Sequence, residues 1–308
     1  MVLYRQGVLI YNPAAGWRRG RLEQQVQRAV DVLRFHVERM VIRPTVGPRS
    51  AIELARQASE QGADLVLACG GDGTINEVVN GLAHAAVPLA VLPAGTANVL
   101  AREIGLPRDP VRAAEMLASL APRRISLGRV SPSGAAARYF LLLCGAGLDA
   151  HIVYHLDLRR KARLGVLAYW WAGLAEFGRR LEVFEVEIGP HRYECAFALA
   201  AQSSTYGGSL QIARDAHLLS GEFQVVLFHS RSTLRYLRYL AGVLTGRLEG
   251  LPDVTFATAR RLEMRAAESA RVYIEVDGES AGCLPATLEI VPGALTLLMP
   301  AAYLQAHG

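Results

Sequence analysis

Between Leu65 and Leu82 the chain reads LVLACGGDGTINEVVNGL: a short apolar run, three glycines within four residues, then apolar residues at helical spacing. Leu65 to Cys69 reads as a buried strand, and Ile75, Val78, Val79 and Leu82 share one helical face. Gly70-Gly71-Asp72-Gly73-Thr74 therefore sits at a strand-to-helix turn. So little side chain lets backbone N–H groups approach a ligand closely, and the helix start adds unpaired donors and the positive end of its dipole. A phosphate suits such a place. Asp72 complicates it, because a carboxylate repels phosphate unless a cation lies between them, so the acid points to a magnesium-bound nucleotide. A plain glycine turn capping a helix accounts for the glycines but gives Asp72, Thr74, Asn76 and Glu77 nothing to do.

The turn belongs to a series. From Gly7 to about Leu120 the pattern predicts strands at GVLIY, ERMVIRP, DLVLAC and PLAVLPAG. Helices are predicted between and after them at RLEQQVQRAVDVLRFH, SAIELARQASEQG, INEVVNGLAHA, NVLAREIG and VRAAEMLASL. In the first helix Leu22, Val26, Ala29, Val30 and Leu33 form one apolar face. Alternation of this kind implies a three-layer α/β domain over residues 1–124, with a mainly parallel sheet covered by helices on both sides. Ligands in such sheets bind at the carboxyl ends of the strands. Three turns, NPAAG, GGDGT and PAGTAN, are expected to open onto one crevice there.

Beyond Arg124 the texture changes to strand-like runs separated by turn residues, with helical stretches near 164–180 and 232–246. This predicts a second, mostly antiparallel β-sandwich domain over residues 125–292. The final strand has two readings, one of which returns residues 293–308 to the first domain.

With 51% hydrophobic and 20% charged residues among 308, the chain is composed like a well-cored globular protein, which excludes disorder. Cys69, Cys144, Cys195 and Cys283 contain no CxxC pair, so a zinc site or disulfide framework is not expected and a reducing cytoplasm is. The longest apolar run, LGVLAYWWAGLAEF, has 14 residues, too few to span a bilayer. The apolar stretch before the first turn is too short for a signal peptide. The expectation is a cytoplasmic protein, peripheral to the membrane at most. The net charge of +5 favours an anionic partner. The basic residues are dispersed and form no nucleic-acid module, so nucleic acid is not expected.

Asn12-Pro13-Ala14-Ala15-Gly16, Gly70 to Val78, Gly95-Thr96-Ala97-Asn98 and Asp277-Gly278-Glu279 resemble, in order, the motifs of the diacylglycerol kinase catalytic family, which includes bacterial lipid kinases and relatives of sphingosine kinase. The resemblance covers nearly the whole chain. GGDGT alone is weak, since NAD kinases and phosphofructokinases carry similar turns; the combination is specific. The resemblance implies that ATP is surrounded by Asn12, Gly16, Thr45, Gly70, Gly71, Asp72, Gly73, Thr74, Asn76, Glu77, Thr96 and Asn98. It implies that Asp72 holds Mg2+, that Glu279 is the general base for a lipid hydroxyl, and that Asp277 belongs with them in the catalytic group. Phosphoryl transfer needs chiefly positioning and charge neutralisation, so this kit suffices chemically. Glu279 reaches the crevice only if the second domain faces the first.

Taken singly, each residue has a plainer use. Asn12 suits an Asx turn before Pro13, Thr96 a helix cap, and Asp277-Gly278 a hairpin turn that leaves Glu279 solvated. The chain also departs from the family. Val99 follows the GTAN asparagine where many members have Asp. Ser126 replaces an Asp before LGR, and Leu219-Ser220-Gly221 stands where many carry DDG beside a structural magnesium, leaving Asp215 nearby.

On the lipid side, Arg159, Arg160, Lys161 and Arg163 precede Tyr169, Trp170 and Trp171, a pattern that suits an anionic membrane surface or a core helix with basic ends. The expected activity is ATP- and magnesium-dependent phosphorylation of a diacylglycerol or related lipid alcohol presented at a membrane surface. The family pattern also allows a homodimer. The alternatives are a kinase of a soluble hydroxyl substrate, as in NAD kinases, and a nucleotide-binding regulator that has lost catalysis.

Overall fold

A computed structural model describes residues 2–16, 19–147, 181–206, 210–232 and 234–308; the helix expected at 164–180, with its arginines and tryptophans, lies outside them. The chain forms two compact units, Met1–Leu127 with Pro292–Gly308, and Gly128–Val291.

The first unit alternates as its apolar pattern requires: β1 (Tyr4–Tyr11), α1 (Arg19–Leu33), β2 (Val37–Pro44), α2 (Ser50–Glu60), β3 (Leu65–Gly70), α3 (Asp72–Leu82), β4 (Pro88–Pro93), α4 (Val99–Glu103) and α5 (Pro110–Glu115). The strands lie parallel in the order β2-β1-β3-β4, with Val8 opposite Val66 and Leu67 opposite Ala90. Every residue of β3 is buried, so helices cover the sheet on both faces. Leu65, Leu67 and Cys69 point into a cluster with Leu22, Val26, Ala29, Val30 and Leu33, the apolar face expected of α1, together with Ala113 and Ala114 of α5. Val66 and Ala68 alternate to the opposite face, which α2 and α3 cover. Each fully buried Val or Leu contributes about 1.5–3 kcal/mol to holding these layers together.

β5 (Leu120–Pro132) leads into the second unit, where β6 (Arg138–Phe140) pairs with it antiparallel. One sheet contains β7 (Leu143–Gly147), β10 (Phe197–Ala201), β13 (Phe223–Phe228), β14 (Val254–Ala259), β16 (Tyr273–Val276) and β17 (Glu279–Cys283), in the order β14-β13-β10-β7-β16-β17 with antiparallel neighbours. Facing it across the core are β8 (Phe184–Ile188), β9 (His191–Cys195), β15 (Arg261–Ala266) and the first part of β18 (Ala286–Pro300). Ala146, Ala198, Val225 and Ile274 from one layer meet Val186, Met264 and Leu288 from the other, which makes the unit a β-sandwich. Phe140 and Phe223 stack at 5.6 Å within it. A short hairpin, β11 (Thr205–Tyr206) and β12 (Leu210–Gln211), the helix α6 (Arg235–Thr245) and a 3-10 turn at Leu248–Gly250 also belong to the described part of this unit.

β18 then continues into the first unit, where Thr296 and Leu297 lie parallel to Pro88 and Leu89 of β4. α7 (Ala301–His307) follows, with Tyr303 buried and its hydroxyl donating to Glu103 at 3.1 Å.

Candidate active site

In the first unit the turns after β1, β2, β3 and β4 all emerge at the carboxyl edge of the sheet and bond to one another. The Asn12 N–H donates to the Cys69 carbonyl at 3.1 Å, Thr45 N–H to Tyr11 at 2.8 Å, and Ala94 N–H to Gly70 at 2.8 Å. The Asn12 amide donates to Thr74 Oγ1 at 3.2 Å, while its own oxygen accepts from the Ala14 N–H at 2.9 Å, closing the Asx turn expected of Asn-Pro. Gly16, at φ +79°, brings that loop within reach of the Ala94 carbonyl. The sharpest constraint lies between the turns after β3 and β4. A Cβ on Gly95 would stand 2.4 Å from the Gly71 Cα, so the two turns interlock at a distance that only glycine allows.

Gly70, Gly71, Asp72, Gly73 and Thr74 thus line the start of α3, with Thr74 folded back over Gly70. Asn98 takes the left-handed conformation, accepts from the Gly95 N–H at 2.8 Å and donates to the Gly95 carbonyl at 3.0 Å, so its side chain shapes the second turn from within. Thr96, between them, is exposed at the rim.

The acids of this region also bond to the main chain. Asp72 Oδ1 accepts from the Val99 N–H at 2.7 Å and the Leu100 N–H at 3.4 Å, supplying the acceptor that the start of α4 needs. Glu77 was expected beside the nucleotide. Its two oxygens instead accept from Arg49 N–H at 2.7 Å and Ala51 N–H at 3.1 Å, so it caps α2 from the neighbouring helix. Asn76, also expected at the nucleotide, is 2% exposed and receives the Asn80 amide, because its place on α3 turns it inward. Of the residues expected around the nucleotide, Asn12, Gly16, Thr45, Gly70 to Thr74, Thr96 and Asn98 lie on the turns at this edge, while Asn76 and Glu77 lie further along α3.

A cation shared with nucleotide phosphates fits this edge. Asp72 supplies one carboxylate beside the glycine turn, and magnesium sites on phosphates ordinarily use one or two carboxylates rather than an all-protein cage. Among the described residues no group of three or more His, Cys, Asp or Glu side chains is placed to hold a metal. The departure at Val99 leaves the Asp72 contact intact, since the bond is to the main chain. At Leu219-Ser220-Gly221 the turn closes through Ser220 Oγ, which donates to the Glu222 carbonyl at 2.8 Å, and Asp215 pairs with Gln224.

The Asp277-Gly278-Glu279 motif lies in the second unit, on the hairpin between β16 and β17. Asp277 at φ 49° and Gly278 at φ 80° give the two left-handed residues of a tight hairpin, the conformation that Asp-Gly favours. Asp277 was expected in the catalytic group. Its carboxylate accepts three main-chain N–H bonds, from Leu141 (2.9 Å), Leu142 (2.9 Å) and Leu143 (3.0 Å), and so fastens the hairpin to the segment leading into β7. Glu275, buried beside it, accepts the Gly278 N–H at 2.7 Å. Glu279 opens β17, half-buried, with its carboxylate paired to the guanidinium of Arg138. Sequence reasoning missed Arg138; its pairing with a residue 141 positions away left no local signal.

A parallel α/β domain with interlocked glycine turns at its carboxyl edge, followed by a β-sandwich, is the architecture of the diacylglycerol kinase-like proteins. Residues 6–130 match the family description "Diacylglycerol kinase catalytic domain", and residues 143–299 match "YegS C-terminal NAD kinase beta sandwich-like domain". The chain is 31% identical over 255 residues to a diacylglycerol kinase of Mycobacterium tuberculosis, covering 81% of each. It is 28% identical over 299 residues to a diacylglycerol kinase of Bacillus subtilis, covering 95% of each. A crystal structure of a diacylglycerol kinase from Bacillus anthracis shares the fold at a TM-score of 0.79 and 22% identity, covering 98% of this chain and 99% of that one. The chain belongs to the diacylglycerol kinase family.

Proposed function

We propose that this protein transfers the γ-phosphate of ATP, with magnesium, to the hydroxyl of a diacylglycerol or a related lipid alcohol. The observation that carries the proposal is the Gly71–Gly95 interlock, which presents two turns almost bare of side chain at the carboxyl edge of the sheet. Backbone N–H groups there and the start of α3 hold the phosphates. Asp72 would hold the magnesium, which when bound neutralises phosphate charge. Glu279 takes the proton of the attacking hydroxyl as the new P–O bond forms and ADP leaves with the bridging oxygen. Arg138 fixes the direction of that carboxylate, and Asp277 holds the hairpin on which it stands.

The test is transfer of labelled γ-phosphate from ATP into a total bacterial lipid extract by wild type and Glu279→Gln. A labelled lipid formed by wild type, with a rate loss of about 10²- to 10⁴-fold in the variant and unchanged ATP binding, is expected. A fully active variant removes Glu279 from the mechanism. Absence of any labelled lipid, with ATP bound, removes the lipid substrate.

A further inference from the structure

The described part of the second unit leaves one face of α6 without a protein partner. Leu234, just before the helix, is 60% exposed, Leu237 50% and Leu244 67%, and Ala241 between them is exposed too. These four residues recur at spacings of three and four, so they form one continuous stripe along the helix. On the opposite side Tyr239 is buried on Phe228, ring centroids 5.0 Å apart, and Gly242 is buried against Leu248 and Leu251. The leucines therefore lie on the side of the helix away from these contacts.

The charge around the stripe selects its occupant. Residues 231–248 contain four arginines, Arg231, Arg235, Arg238 and Arg247, and no acidic residue, with Glu249 following beyond the end of the helix. Arg235 is tied to Asp253 at 2.7 Å and Arg231 to Glu194 at 3.0 Å. Arg238 lies on the stripe's own flank, one residue from Leu237, and Arg247 at its end. A second copy of this chain is a poor match for such a face. Eleven residues at 1.5 Å each make a stripe about 16 Å long and one helix wide, on the order of 160 Å². A stable dimer buries about 800 Å² per partner. Self-pairing would also set arginine against arginine.

We propose that this face docks onto an anionic lipid surface, with Leu234, Leu237 and Leu244 entering the headgroup–acyl boundary and Arg238 and Arg247 meeting lipid phosphates. The inference rests on the lipid-kinase reading for its purpose, since a water-insoluble substrate has to be reached in its membrane, but its test does not depend on catalysis.

Full-length wild type and the double variant Leu237→Glu/Leu244→Glu would be co-sedimented with vesicles of phosphatidylcholine alone and of phosphatidylcholine with phosphatidylglycerol. Wild type is expected to bind the anionic vesicles and to be released by salt, while the double variant loses about tenfold or more in affinity, equivalent to about 1.4 kcal/mol. Both positions are exposed, so the unfolding midpoint should be unchanged. Arg238→Glu should likewise weaken binding to the anionic vesicles. Failure of wild type to bind, or binding unaffected by the leucine substitutions, overturns the proposal. So does a wild-type dimer that the substitutions convert to monomer while vesicle binding persists. Phosphotransfer to a short-chain diacylglycerol in detergent micelles, measured in parallel, is expected to be equal in both proteins. If it is absent from both while vesicle binding follows the expected pattern, the docking face stands and the kinase reading falls.

Discussion

Gly95→Ala tests whether the interlocked turns are the nucleotide cradle. The added methyl carbon would stand 2.4 Å from the Gly71 Cα, 2.9 Å from Asn98 Oδ1 and 3.2 Å from the Gly71 nitrogen, whereas ordinary contact begins at 3.4 Å. The Asn98 amide can turn aside at the cost of its bonds to Gly95, but the Gly71 contact is backbone against backbone. Relief therefore needs the two turns to separate by about 1 Å, and overpacking of this kind costs about 1–3 kcal/mol. Separation also moves the N–H groups proposed to hold the phosphates, and misplacement of about 1 Å in a positioning site can lower rate by about 10²-fold. Calorimetric titration with magnesium and a non-hydrolysable ATP analogue should show affinity weakened by about tenfold or more, the equivalent of about 1.4 kcal/mol. Gly250→Ala is the control, since an added Cβ there meets nothing within 4 Å. If Gly95→Ala remains folded and binds nucleotide like wild type, the turns after β3 and β4 are not the cradle.

Asp277→Asn retains shape but offers one acceptor oxygen to three N–H groups. At least one of them then faces an amide N–H2, which should lower stability by about 1–3 kcal/mol. The expected result is a lower denaturation midpoint and a lower kcat with ATP affinity unchanged, and equal stability and activity would refute the anchoring role. The thiols provide a second check. Burial pushes the Cys69 thiol up to about 12, and burial raises Cys144 and Cys195 as well, helped by the charges of Glu275 and Asp277 for the former and Glu194 for the latter. Raised values keep these three as protonated thiols through neutral and mildly alkaline pH, so a disulfide reagent at pH 8 should label only the half-buried Cys283 in the native protein and all four after denaturation. Native labelling of a second cysteine would show that one of the two cores opens.

The parts of the site that were legible in the sequence are those whose geometry is local. Gly70 to Thr74 announces a strand-to-helix turn because glycine and helical periodicity adjoin, and Asp277-Gly278 carries its own hairpin conformation. The acids were not legible, because their partners come from tertiary approach. Asp72 meets Val99 across 27 positions, Glu77 meets Arg49 across 28, and Asp277 meets Leu141 across 136. In each case the acid accepts from a main-chain N–H group at a helix start or strand end. The surplus donors that make these turns suit phosphate also require acceptors behind them, so an acid in a glycine-rich turn is not by itself an acid for the ligand. Glu279 differs from those three. Its carboxylate meets a side-chain cation, Arg138, and closes no turn of the backbone. Removing its charge should therefore touch chemistry before fold, whereas Asp277→Asn should lower both together. A rate loss in Glu279→Gln at an unchanged unfolding midpoint would separate proton transfer from scaffold; a parallel fall in midpoint would place Glu279 with Asp277, as a residue that holds the hairpin.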